Sequence, residues 1–314
     1  MLAAEGNDGL KGDSTKHKVK GNLPRFLFGV GAQLSSLGQR NRRKLYPRDH
    51  GLRMVTLHET RGTEQMDRLK RLVDYCEQHF DWGTPDDVVA LCGGTFVPRE
   101  RDNLLLTFDD GHCDNFDAAS YLAAKGIRAL FFVIPAFLGR SVQAYYEFHR
   151  ANGVQAFRFA PHHAESRGLS RTQIREMRAM GHVIGGHNFA HRDLGLLRED
   201  GDIEYEIQRA LEDLGEILGQ PCQDFAFGFG QPEHLSVEAY NYLNLNCARL
   251  YSTVRGLNVP GLSPRLMLRD SANLWHPFAF TVSTLNGALD HRSVRQWAEL
   301  ERLGGRLPDA LGPS

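Results

Sequence analysis

Apolar residues in this chain come in two spacings, short unbroken runs and a helical repeat, and the two alternate. "MVTLH" at 54–58 has strand character. Behind it Leu69, Leu72, Val73, Cys76 and Phe80 recur at helical spacing. A second helix is punctuated by Thr84 as N-cap, Pro85 at its first position, Asp86 and Asp87 in its first turn, and Gly93–Gly94 beyond its end. "LLLTF" (104–108) is the next strand, and a helix over about 116–125 stops at Gly126. "ALFFVIP" (129–135) is apolar on both faces, as expected of a strand inside a closed or covered sheet.

Residues 139–168 show little periodicity and predict an insertion or a long loop. Ser170, with Gln173 in the capping-box position, opens a helix that ends at Gly181. "HVIGG" (182–186) is a strand. Ile203, Ile207, Ala210, Leu211, Leu214 and Leu218 mark a long amphipathic helix closed by Gly219 and Pro221. "DFAFGFG" (224–230) reads as another strand, and Ser236 opens a short helix. Such alternation predicts an α/β fold, a parallel sheet covered by helices. No Gly-rich phosphate turn follows an early strand, which favours a β/α barrel over an open doubly wound sheet.

Composition narrows the class. The 314 residues are 41% hydrophobic and 24% charged, enough for a sizeable core, and the formal net charge of -1 gives no general attraction to nucleic acid or anionic membrane. The five cysteines are widely spaced and contain no CxxC, so neither a disulfide framework nor a cysteine zinc site is expected. No apolar run is long enough to span a bilayer. Residues 1–50 are expected to be a polar, partly disordered extension, residues 51–300 the folded domain, and 301–314 a flexible tail. A cytoplasmic location is expected. The alternative is export through a weak N-terminal signal, from the lysines at 11, 16, 18 and 20 and the apolar stretch 26–32; the acids Glu5, Asp8 and Asp13 count against it.

Candidate chemistry lies where strands end. The run 104–108 leads into Asp109 and Asp110, and 182–186 leads into His187 and His191. On a helical turn two histidines four apart share a face, and two imidazoles with one carboxylate suit a divalent metal with open positions. Adjacent aspartates tend to point apart, which suggests that one binds metal while the other acts as a base.

"LLLTFDDG" followed by "GHVIGGHNFAHRDL" resembles the polysaccharide deacetylase family, the NodB-homology or carbohydrate esterase family 4 enzymes. The first motif matches TFDDG without change. The second matches H(S/T)xxH, with Asn188 in the Ser/Thr position. "DFAFGFG" is similar to a third motif, Phe-Ala-Tyr-Pro-Tyr-Gly. The resemblance implies a distorted (β/α) barrel of about seven parallel strands, and metal-dependent removal of N-acetyl, or O-acetyl, groups from a sugar or polysaccharide. Asp110, His187 and His191 would bind the metal, with zinc the expected ion. Asp109 would be the base, and the backbone N–H of Phe229 would stabilise the oxyanion.

Three departures stand out. Gly228 replaces the usual proline, which would leave the loop aiming Phe229 freer. Ala226 replaces the arginine that pairs with the base in many relatives; Arg269 or Arg265 in "SPRLMLRD" would substitute. The late histidine acid is not evident. His276 or His291 would serve, Asp109 would return its proton, or the substrate would be an O-acetyl ester; Asp109 acting twice needs no unplaced residue. Two other readings remain: a degenerate barrel that binds glycan without turnover, and an amidohydrolase acting on a small non-sugar amide. Oligomeric state is not indicated. His112 and Cys113 read as neighbours of the acid pair, His162 and His163 as solvated loop residues, and Trp275 and Trp297 as core residues.

Overall fold

In the computed structural model the described residues are 42–46, 50–155, 158–160, 163–260 and 266–303. Most of the expected N-terminal extension, most of the tail, His162 and Arg265 lie outside them.

Ten strands form one sheet: β1 (Leu52–Leu57), β2 (Asp81–Trp82), β3 (Asn103–Phe108), β4 (Leu130–Val133), β5 (Val183–Gly186), β6 (Asp224–Ala226), β7 (Arg249–Tyr251), β8 (Leu257–Asn258), β9 (Leu266–Met267) and β10 (Asp270–Ser271). The order is β10-β1-β3-β4-β5-β6-β7-β9, all neighbours parallel, with β2 beside β3 and β8 antiparallel on β1. β9 pairs with β7 and β10 with β1, yet the two are consecutive on one segment, 266–271. That segment steps across the gap and nearly closes the sheet into a barrel. Counted as one stave, it brings the parallel staves to seven.

Helices α1 (Gly62–His79), α2 (Pro85–Cys92), α3 (Asn115–Ala124), α4 (Val142–Ala151), α5 (Arg171–Ala179), α6 (Asp200–Leu218), α7 (Val237–Asn246), α8 (Phe278–Leu285) and α9 (Val294–Arg302) accompany the sheet. The expected caps form: Thr84 with Asp87 and Ser170 with Gln173 each make a reciprocal capping box. Gly219 closes α6 in the left-handed conformation. Two readings need correction. Residues 139–168 contain α4, whose Val142, Tyr145 and His149 are buried at spacings of three and four. Its apolar stripe is built from a tyrosine and a histidine, which obscures the repeat. The strand at 224–230 is only Asp224–Ala226, because the chain turns away beyond Ala226. No helix among the described residues is long and apolar enough to cross a membrane.

Alternation along each strand sorts the core. Leu52 and Met54, Leu105, Leu130, Phe132, Ala226, Tyr251 and Met267 fill the barrel lumen. Val55, Leu57, Leu104, Leu106, Phe108 and Phe131 face the helices. Trp297 is buried and donates its indole N–H to the Arg255 carbonyl, a core role.

A buried charge network secures the closure. Arg53 on β1 reaches Asp270 on β10 (2.6 Å) and Asp290 (2.8 Å), and all three are fully buried. The Tyr46 hydroxyl donates to the same Asp290 oxygen at 2.9 Å. Removing one member would strand a buried charge. Asp290→Ala is therefore expected to lower the unfolding free energy by about 3–5 kcal/mol. Urea titration checks this; a variant as stable as the parent would separate barrel closure from this network.

Candidate active site

All parallel strands end on one face, so residues just past β1, β3, β5 and β6 converge there. β3 delivers Asp109 and Asp110. Asp109 remains on the β3 ladder, its N–H donating to the Leu57 carbonyl. Asp110 turns into the left-handed region, with φ of 73°, followed by Gly111 at 76°. A Cβ on Gly111 would lie 2.9 Å from Val133, so glycine is needed there on two counts. This turn makes the adjacent carboxylates diverge.

The Asp109 carboxylate meets Arg269 in a two-pronged ion pair, 2.7 Å from Nη1 and 3.0 Å from Nη2. Arg269 is fully buried; its Nε donates to the Ser252 carbonyl and its guanidinium lies over the Phe132 ring. Burial alone would raise the Asp109 pKa, but Arg269 above all, with His187 and His58, holds it below the usual carboxylate value.

Asp110 faces the histidines. Its Oδ1 is 3.6 Å from His187 Nε2 and 3.7 Å from His191 Nε2, and the two Nε2 atoms are 3.1 Å apart. The pair does not share a helix face, as the spacing suggested; residues 187–192 form a loop with Asn188 at φ 54° and His191 at φ 56°. His187 Nδ1 donates to the Ala226 carbonyl at 2.7 Å, which leaves Nε2 as a lone pair facing inward. His191 is pushed down to about 3 by burial and by His187, so it is neutral at ordinary pH. Asp110 is held well below its usual range: burial opposes this, but His112, His58 and His191 outweigh it. One donor atom from each of the three residues lies within 4.8 Å of the others, and all three residues are buried. A tetrahedral ion with bonds of about 2.0–2.2 Å sets its donors about 3.3–3.6 Å apart. Two imidazoles and a carboxylate at these separations fit a divalent metal.

The histidine loop is fastened at several points. The Asn188 amide donates to the Arg192 carbonyl (2.7 Å), and its oxygen accepts from Gly228 N–H (3.2 Å). A Cβ on Gly228 would lie 2.9 Å from Asn188 Nδ2. A proline there has neither the N–H nor the room, so Asn188 and Gly228 read as one joint change, and the hydrogen bond offsets the expected looseness. Phe229 takes a φ of 63° and lays its ring 4.8 Å from that of His191. Asp110, Asn188, His191 and Phe229 are the non-glycine residues with positive φ among the described residues, and all belong to this site.

Glu206 and His58 were missed from the sequence. Glu206 lies on the buried stripe of α6, and an acid on an apolar stripe is the signal that marks it. One of its oxygens accepts from the N–H groups of Ala190 (3.0 Å) and Arg192 (3.3 Å), on either side of His191. Its other oxygen is buried with no hydrogen-bond partner among the described residues. His58 directly follows β1, and it acts electrostatically on Asp109, Asp110 and His191 alike. Its signal is a histidine at a strand's active end. His163, read as solvated, is buried and pairs with buried Glu59 at 2.5 Å. His291 is exposed, and His276 lines a separate 260 Å³ cavity with Arg68, Arg71 and Phe278.

The polysaccharide deacetylase family profile matches residues 97–248, a span holding Asp109, Asp110, His187, His191 and Phe229. Residues 97–248 belong to the polysaccharide deacetylase family. The chain is thus a hydrolase of the deacetylase type, acting on carbon–nitrogen bonds other than peptide bonds. IcaB from Ammonifex degensii is similar in fold: 21% identity, TM-score 0.57, covering 76% of this chain and 99% of that one. The BpsB deacetylase domain from Bordetella bronchiseptica gives 15% identity and a TM-score of 0.54 over 71% and 96% of the two chains. The PplD deacetylase of Streptococcus pyogenes, solved with acetate, gives 17% and 0.51 over 71% and 91%. No curated protein compared with the chain matches it. His58 and Arg269 lie outside the matched span of the deacetylase, on the staves that complete the barrel.

Glu206 yields a pH test. Burial raises its pKa to about 7, despite the Ala190 and Arg192 N–H groups that lower it. A carboxyl raised in the folded state contributes stability fully present below its unfolded pKa of about 4.3 and lost as pH rises through the folded value. Glu206→Gln keeps the acceptor oxygen and removes the charge. The parent should lose roughly 2–3 kcal/mol between pH 4.5 and 7.5 from this group, and the variant should not. Chemical denaturation at several pH values checks this; parallel pH profiles would refute it.

Proposed function

We propose that this deacetylase removes N-acetyl groups from amino sugars of a polysaccharide, using a divalent metal held by Asp110, His187 and His191. The observation that carries the reading is the division of the two neighbouring carboxylates: Asp109 is gripped by Arg269, and Asp110 is gathered with the two histidines. Zinc is the ion best suited to this donor set, and when bound it would supply a Lewis acid that polarises the acetyl carbonyl and acidifies water.

The chain's own groups account for the remaining proton movements. Asp109 is kept ionised and fixed in orientation by Arg269, so it accepts a proton from water as the oxygen attacks the acetyl carbon. The backbone N–H of Phe229, on a strained turn beside His191, is assigned to the developing oxyanion. As the carbon–nitrogen bond breaks, acetate departs and the sugar nitrogen must gain a proton. Asp109 is a weak donor for this step, because Arg269 favours its charged form. His58 suits it better, since it stands at the active end of β1 and interacts electrostatically with both carboxylates. This reading replaces Asp109 acting twice, and leaves His276 and His291 without a role. Arg269 is the expected partner of the base; Arg265 is outside the described residues.

Asp109→Asn should lower turnover about 10²–10⁴-fold while zinc affinity stays near that of the parent. Asp110→Asn should weaken zinc binding itself. Chelator competition alongside acetate release separates the two, and the opposite pattern would exchange their roles.

His58→Asn should slow release of acetate from N-acetyl sugars at least about a hundredfold. O-acetyl esters, whose alcohol leaves more readily, should be affected far less. Equal loss on both substrates would remove His58 as the acid.

A further inference from the structure

We propose that His112, held by Ser166, is a positioning residue that occupies the outer oxygen of Asp110 and so restricts that carboxylate to offering Oδ1 to the metal. The inference rests on the metal reading above and adds to it a residue two positions along the same turn.

Asp110 presents its two oxygens to different partners. Oδ1 faces His187 and His191, whereas Oδ2 faces His112 Nε2 at 3.5 Å. His112 is fully buried, which is an expensive place for an imidazole unless its nitrogens have work to do. Its Nδ1 lies 2.8 Å from the Ser166 hydroxyl. With the hydroxyl donating to Nδ1, the ring carries its proton on Nε2, the nitrogen nearest Asp110 Oδ2; at 3.5 Å the contact is an electrostatic approach rather than a full hydrogen bond.

Ser166 comes from the end of the 139–168 segment, and backbone pairing sets its position. Cys113 N–H donates to the Arg167 carbonyl (2.8 Å) and Leu169 N–H to the Gly111 carbonyl (2.9 Å), bracketing a bridge between His112 and Gly168. That bridge admits only glycine at 168, where a Cβ would lie 2.2 Å from the Phe137 carbonyl oxygen. The ring itself is wedged edge-on between Phe137 and Phe159, which fixes its plane. A ligand carboxylate free to swing could bind through either oxygen or both. Occupying one of them selects a single mode, and groups that orient ligands in this way commonly affect metal affinity by about 10–100-fold.

The test measures zinc affinity of the full chain by competition with a chromophoric chelator, with melting temperature as the control for folding. His112→Phe keeps an aromatic ring in the pocket but removes the N–H. It is expected to fold and to bind zinc about 10–100-fold more weakly than the parent. His112→Gln, which retains an N–H donor, is expected to recover most of that loss. Should His112→Phe fail to fold, Ser166→Ala decides, with an expected weakening of about three- to tenfold. A folded His112→Phe that binds zinc as tightly as the parent would overturn the inference alone. So would Gln and Phe variants that are equally weak, since shape rather than the N–H would then matter, or an unchanged Ser166→Ala. A parent whose zinc affinity is unaltered by His187→Ala would overturn the metal reading, and this inference with it.

Discussion

The ion pair between Asp109 and Arg269 links closure of the barrel to its chemistry. Neither residue is adjacent to the other in sequence, and both are withdrawn from water. Two charges so deeply buried are stable only when geometry and additional hydrogen bonds repay their lost hydration. Arg269 meets that demand through Asp109, Thr107 and the Ser252 carbonyl, with the Phe132 ring beneath it. It sits where the chain steps from β9 to β10. The next residue, Asp270, turns to Arg53 on the far side of the sheet. One two-sided segment therefore closes the barrel, neutralises a buried arginine outside the lumen, and sets the ionisation of a carboxylate at its mouth.

Around that pair the backbone is held in conformations that ordinary residues avoid. Each left-handed non-glycine residue costs on the order of 1–3 kcal/mol, and such a residue persists only when its surroundings overdetermine it. The supports are visible. Gly111 continues the turn begun by Asp110, Asn188 bridges two loops, and Glu206 collects the N–H groups beside His191. Phe229 is tied by its carbonyl to the Thr253 hydroxyl. Strain at the site is thus balanced by polar groups contributed from α6, from the loop after β6 and from the segment after β7. This explains why the third motif tolerates glycine in place of proline.

Much of the architecture was legible in the sequence, and so was which polar residues gather at one end of the barrel. Unbroken apolar runs alternating with amphipathic helices can hardly pack except as a parallel sheet under helices, and turn and cap residues mark several boundaries directly, as at Thr84, Ser170 and Gly219. Asp109, Asp110, His187 and His191 were readable because each pair sits within a few residues at a strand's end, so local spacing carries the signal. What tertiary structure alone decided are relations between distant segments: that Arg269 rather than Ala226's stave supplies the cation beside Asp109, that Glu206 meets the N–H groups flanking His191 and Ser166 meets His112, and that His58 shares the mouth with Asp109. Helix α4 escaped because its buried face is built from Tyr145 and His149. Local periodicity reports which face of an element is buried, whereas the partner that a buried polar group meets depends on how the barrel closes.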